Sequence, residues 1–137
     1  MPTLDAWRSK LRTAEAMAML SYAGLLVESV PLKRWRGSLG LATDRGVGPR
    51  AAEARKLAAR VEHAANLLPF RAKCLPRAMA LSWLLRRAGI GHAVVVAVRP
   101  PKVRDGPHGL HAWVEVAGDT IISDLPGPWH ETLRIGA

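Results

Sequence analysis

The 137-residue chain has one cysteine, Cys74, so no intramolecular disulfide can staple it and no multi-thiolate zinc site can form. A lone thiol suits a reducing compartment, and a cytoplasmic location is the expectation. Long apolar runs are also missing. The best, residues 16–27, falls short of the roughly 18 residues that span a bilayer. It follows Arg8, Lys10 and Arg12, an order reminiscent of a secretory signal. However, Asp5 and Glu15 interrupt the basic segment, and no small-x-small cleavage pattern follows. The segment is expected to be a buried helix, with attachment to a membrane surface as the lesser alternative. Acidic side chains are scarce, 11 against 20 Lys and Arg, leaving a formal charge of +9. That balance favours encounter with acidic peptides, nucleic acid or anionic lipid without choosing among them. Internal repeats and low-complexity segments are absent.

Hydrophobic residues make up 49% of the chain, enough for one core at this length, and a single domain over 1–137 is expected. Leu4, Trp7, Leu11, Ala14 and Ala18 recur at helical spacing, which predicts a helix over about 4–29. Pro31 ends it or opens the next element. Residues 31–40 carry Trp35 beside Lys33, Arg34 and Arg36 and read as a short basic helix closed by Gly37 or Gly40. The Gly-rich segment 43–49 reads as a flexible loop, followed by a helix over about 49–68 with proline in its first turn. Residues 75–88 are apolar almost all round and read as a central helix, with Pro76 allowed in the first turn and Gly89 closing it. Residues 92–99, 110–116 and 120–123 read as strands, and 100–109 as a loop rich in Pro, Gly and charge. Helices followed by a small antiparallel sheet make the expected fold α+β, with an N-terminal helical part over 1–45 and a core over 49–137.

Cys74 lies immediately before the 75–88 helix, with Arg71, Lys73 and Arg77 nearby in sequence. A helix N-terminus and neighbouring cations stabilise a thiolate, the nucleophilic form. The competing reading is a small buried hydrophobe. In the alternating segment 110–116, His111, Trp113 and Glu115 share one strand face, and Leu110, Ala112, Val114 and Val116 share the other. A histidine so placed is by default a hydrogen-bonded structural residue unless it has a carboxylate partner. Asp124 is the preferred one. A two-residue hairpin loop on Gly118 and Asp119 would set Trp113 opposite Asp124, with Asp124 diagonal to His111 on the same face. A three-residue loop would put Asp124 opposite Ala112, on the wrong face. Asp119 is the rival carboxylate but lies too far along the strands. Cysteine, histidine and aspartate together form a coherent machine: the thiolate attacks a carbonyl, the imidazole shuttles the proton, and the carboxylate orients the imidazole. Backbone N–H groups at the start of the helix supply part of an oxyanion hole.

The run Leu68-Pro69-Phe70-Arg71-Ala72-Lys73-Cys74-Leu75-Pro76-Arg77-Ala78-Met79-Ala80-Leu81, then Leu84-Leu85-Arg86-Arg87-Ala88-Gly89-Ile90, then His111-Ala112-Trp113-Val114-Glu115 resembles the transglutaminase-like leader peptidases of lasso-peptide biosynthesis. The resemblance covers about residues 60–130, and Val30-Pro31-Leu32-Lys33-Arg34-Trp35 with Gly40 extends it more weakly. It implies a transglutaminase-like, papain-like core in which Cys74 is the nucleophile, His111 the general base and acid, and Asp124 the orienting carboxylate. It also implies removal of the leader region of a lasso precursor without a cofactor, with a separate leader-recognition protein as partner. An ATP-dependent lasso cyclase would then receive the core peptide. The interval from His111 to Asp124 is one residue longer than the family pattern.

Other residues invite competing readings. His108 and His111, with Cys74, suggest zinc, but a spacing of three on a strand sets the histidines on opposite faces, and no metal is expected. His108 belongs to the loop, where it can meet substrate. Trp113 lines the cleft or simply packs, the latter being the default. Trp7, Trp35, Trp83 and Trp129 have ordinary core or interface explanations. A nucleic-acid-binding reading of the basic residues near Trp35 lacks a recognised motif, so no nucleic-acid partner is expected. The main alternative keeps the triad and changes the acceptor from water to an amine, giving an acyl or amide transferase.

Overall fold

Apolar residues at helical spacing produce a 26-residue helix, α1 (Leu4–Ser29), in the computed structural model. The structure describes residues 4–40, 51–70, 73–98, 110–116, 119–122 and 129–136. Pro31 disfavours helical backbone at the residue before it, so α1 stops at Ser29. Helix α2 (Leu32–Trp35) runs into a 3-10 turn (Arg36–Ser38). Trp35 turns inward, 7% exposed, and its Nε1–H donates to the Val30 carbonyl at 3.0 Å, while Lys33, Arg34 and Arg36 face solvent. The basic character of this segment is therefore only its outer side. Helices α3 (Ala51–Leu67) and α4 (Cys74–Ala88) follow. The segment expected to be a flexible loop, 43–49, lies outside the described residues.

Helix α4 is central, as its sequence requires. Ala78, Met79, Leu81 and Leu85 are fully buried, and α1, α3 and the sheet all pack on it. At its end Gly89 takes φ 74, a left-handed conformation that costs glycine little. This lets Gly89 N–H reach the Arg86 carbonyl and Ile90 N–H the Leu85 carbonyl, so two terminal carbonyls of the helix are satisfied. One side of α4 also holds the 36–40 turn. Trp83 Nε1–H donates to Ser38 Oγ at 2.9 Å, Arg86 Nη1 to the Gly37 carbonyl at 2.8 Å, and Gly40 N–H to Ser82 Oγ at 2.8 Å.

Four antiparallel strands form one sheet in the order β3-β2-β1-β4, with β1 Ala93–Val98, β2 Leu110–Val116, β3 Asp119–Ile122 and β4 His130–Gly136. The α+β class and three of the strands match the sequence reading, with β1 and β3 shifted by a residue at their ends. Strand β4 was not foreseen. Its HETLRIG sequence has no clean alternation because a bulge where it passes Val96 and Ala97 breaks the period of two.

The expected β2–β3 register needs correction. Val116 pairs with Asp119, Glu115 with Thr120 and Val114 with Ile122, with an irregularity between the last two pairs. Asp119 thus lies in the strand, and the register that set Trp113 opposite Asp124 does not form up to Ile122. The physical reason is burial. The extra residue on β3 brings Ile122, 3% exposed, beside Val114 on the core face, where the expected register would have put Ser123. Val94, Ala112, Val114, Val116 and Ile122 join the core built on α1, α3 and α4. Ala93, Val95 and Ala97 pair with Glu115, Trp113 and His111 and line the other face of the sheet.

Candidate active site

Cys74 opens α4, and His111 lies on β2, which packs against α4. The chain leaves α4 through the Gly89 turn, and the imidazole of His92, just before β1, reaches back to Ser82 Oγ at 2.6 Å. From that anchor Cys74 is eight residues back along the helix, about 12 Å. Ala97 is five residues on along β1, about 16 Å, and Ala97 pairs with His111. β1 and β2 both pack against α4.

Cys74 is the first residue of α4, not the residue before it, and is a half-buried free thiol packed against the core. Lys73, the N-cap, makes no side-chain cap, and there is no acidic residue in the first turn. Pro76 has no N–H, and Arg77 N–H is taken by the Lys73 carbonyl at 3.2 Å. The N–H groups of Cys74 and Leu75 thus remain as the first-turn donors that α4 itself does not use. The Arg77 guanidinium pairs with Glu62 of α3 at 2.6 Å, which directs this charge toward α3. Arg71 lies outside the described residues.

His111 is 9% exposed and sits among aromatic rings. Trp129, just before β4, stacks on it with centroids 5.1 Å apart and planes at 25°, and Trp113 lies at 5.8 Å. The two indoles tilt against each other at 6.5 Å. Trp113 spends its polar edge internally, Nε1–H donating to Glu115 Oε2 at 2.8 Å, and Arg134 of β4 holds Glu115 at 3.2 Å. Trp113 is thereby fixed as a wall beside the imidazole. Sequence reading gave Trp129 only an ordinary packing role, since it lies 18 residues from His111 and the unforeseen β4 brings it there. No local pattern announced it.

Asp124 and His108 lie outside the described residues. The rival Asp119 is exposed and pairs with Val116, five strand positions from His111, or about 16 Å along β2. That separation removes it as an orienting carboxylate.

A second polar cluster is fully enclosed. The Ile90 carbonyl can only accept, so His92 Nδ1 carries the proton in the contact at 2.8 Å. Nε2 then accepts from Ser82 O–H, and Ser82 Oγ accepts from Gly40 N–H. Burial pushes the His92 pKa below its ordinary 6.5, opposed by the Ile90 carbonyl and helped by the Arg86 charge. The ring is neutral and structural: Ser82 and His92 are at most 1% exposed, out of reach of substrate.

No curated protein and no solved structure matches the chain. The family model described as the transglutaminase-like superfamily matches residues 17–134, a span that takes in the second half of α1, all of α3 and α4 and nearly the whole sheet. Members are usually cysteine-type enzymes. That agrees with a half-buried thiol on the central helix and a histidine on the neighbouring strand: the chain belongs to the transglutaminase-like superfamily.

Proposed function

We propose that the protein is a cysteine peptidase that removes the leader from a lasso-peptide precursor. The observation that carries the reading is a half-buried Cys74 thiol in the first turn of α4, a central helix that packs against the strand bearing His111. Cys74 Sγ gives its proton to His111 and attacks the scissile carbonyl, and the Cys74 and Leu75 N–H groups stabilise the oxyanion. The His111 imidazolium then protonates the leaving amine. Water attacks the thioester, His111 takes its proton, and the thiol is released as the carboxylate product leaves. Asp124 is the orienting carboxylate of this proposal on the strength of the family resemblance, the β2–β3 register that favoured it having given way to another, and Trp113 and His108 contact substrate. A leader-recognition protein presents the precursor, and the cyclase takes the product. No helix among the described residues is long and apolar enough to cross a membrane.

The test is to mix the protein with a lasso precursor and its leader-recognition partner and to follow the masses. Leader loss is expected with the native chain and not with Cys74→Ala. Equal loss with both, or none with the native chain, overturns the reading. Superfamily membership equally supports a transferase, in which an amine replaces water in the second step. Trapping the acyl-enzyme and offering water or an amine separates the two: release by amines alone selects the transferase.

A further inference from the structure

Helix α1 packs on α3 and α4 through Ala16, Leu20 and Ala23, all fully buried. Another flank of the same helix is apolar and uncovered. Leu4, Trp7, Leu11, Tyr22 and Leu25 are each more than half exposed, and the exposed Ala18 lies between them. With the exposed Ala14 they recur every three or four residues, so they form one stripe about 30 Å long. Single exposed leucines are ordinary on a surface, but a continuous stripe on one helix marks a contact face. A groove of about 330 Å³ runs beside it between α1 and α3, lined by Lys10, Thr13, Ala14, Met17, His63 and Leu67, among others. Two helices with a groove between them offer the seat for a third helix, whose side chains enter the groove as ridges.

Charge selects the occupant. Lys10 borders the stripe on the groove side, where its ammonium also lies 5.5 Å from the Trp7 ring. Arg8 and Arg12 are exposed and, by helical spacing, border the other side. Packed in parallel, a second copy of α1 would bring these cations against their own kind, and packed antiparallel about the centre of the stripe it would set them against the uncharged residues 17–21, so neither arrangement pairs them with carboxylates. An apolar stripe flanked by carboxylates would satisfy both the surface and the charge, on a chain whose formal charge is +9. We propose that the α1 stripe and the α1–α3 groove dock an acidic amphipathic helix of a partner protein. The inference does not rest on the catalytic reading, since it concerns binding at a face built by α1 and α3.

The experiment uses the full chain and two fluorescein-labelled synthetic 21-residue helices with leucine at heptad a and d positions. One has glutamate and the other lysine at e and g. Anisotropy is expected to show binding of the glutamate peptide, weakened more than fivefold between 50 and 300 mM salt on the order expected for surface charge, and no binding of the lysine peptide. The double variant Ala14→Glu/Ala18→Glu, at two exposed sites, is expected to lose at least tenfold in affinity with unchanged far-UV circular dichroism. The variant Arg8→Glu/Lys10→Glu keeps the stripe and is expected to exchange preference to the lysine peptide. Cys74→Ala should bind as the native chain does, which separates this test from the catalytic one. Equal binding of both peptides, or no binding, overturns the proposal. So does dimerisation in sedimentation, or attachment to vesicles of one part anionic to three parts neutral phospholipid, if Ala14→Glu/Ala18→Glu abolishes it.

Discussion

Ser82 shows how much one small side chain can hold. Its hydroxyl accepts from Gly40 N–H and donates to neutral His92, so Ser82→Ala strands a buried imidazole nitrogen and a buried amide at once. Each costs about 1–3 kcal/mol, and urea denaturation at pH 7.5 should show a loss of roughly 3 kcal/mol. The same site gives the protein an acid-sensitive component. The folded protein holds the His92 pKa below 6.5, so the unfolded chain takes up a proton that the folded one resists. This contribution to stability is complete above about pH 6.5 and falls as the pH drops through the depressed folded value. His92→Gln should be less stable than the native chain at pH 7.5 but lose less between pH 7.5 and 5.5, so a steeper loss in the variant would count against the assignment. Catalytically, Trp129→Ala uncovers one face of His111 and should lower turnover tenfold or more while leaving thiol alkylation of Cys74 possible. Unchanged turnover would make Trp129 a packing residue only.

Among the elements, α4 was the most readable in sequence. Pro76 in its first turn, a surface apolar almost all round and a glycine at its end agree with one another, and the helix forms within one residue of where they place it. Its closure can be tested directly. Gly89 has φ 74, which a Cβ strains, so Gly89→Ala should cost about 1 kcal/mol in chemical denaturation without altering the sheet. Strand β2 was equally readable from strict alternation. Strand β4 was not, because its bulge breaks alternation and its place at the edge of the sheet, beside β1, is set by a partner far away in the chain. The β2–β3 register failed for a related reason. Turn residues suggested one pairing, whereas the core gained more by taking Ile122 through a bulge.

In the whole molecule, the N-terminal turn, the central helix and the last strand meet at Gly40. Its φ is 74, and a Cβ there would lie 2.4 Å from the Ile135 carbonyl oxygen, with backbone on every near side. Gly40→Ala should therefore destabilise the protein by roughly 3 kcal/mol or prevent folding, far more than Gly37→Ala, whose Cβ meets nothing within 4 Å. Thermal unfolding of the two variants side by side reads the difference directly. Equal midpoints would mean that the three parts do not meet as described.

The helices, the central position of α4 and the β2 segment were determined by sequence alone, and Cys74 and His111 were named there as candidates, because each rests on local spacing, a proline or glycine at an end, or a helix terminus beside a thiol. Tertiary structure decided what local pattern cannot carry. It decided that β4 joins the sheet beside β1, that Trp129 covers His111, that Ile122 and not Ser123 pairs with Val114, and that His92 serves as a buried strut. Each of these depends on which distant segments compete for the same buried face, and that competition is settled by packing across the core.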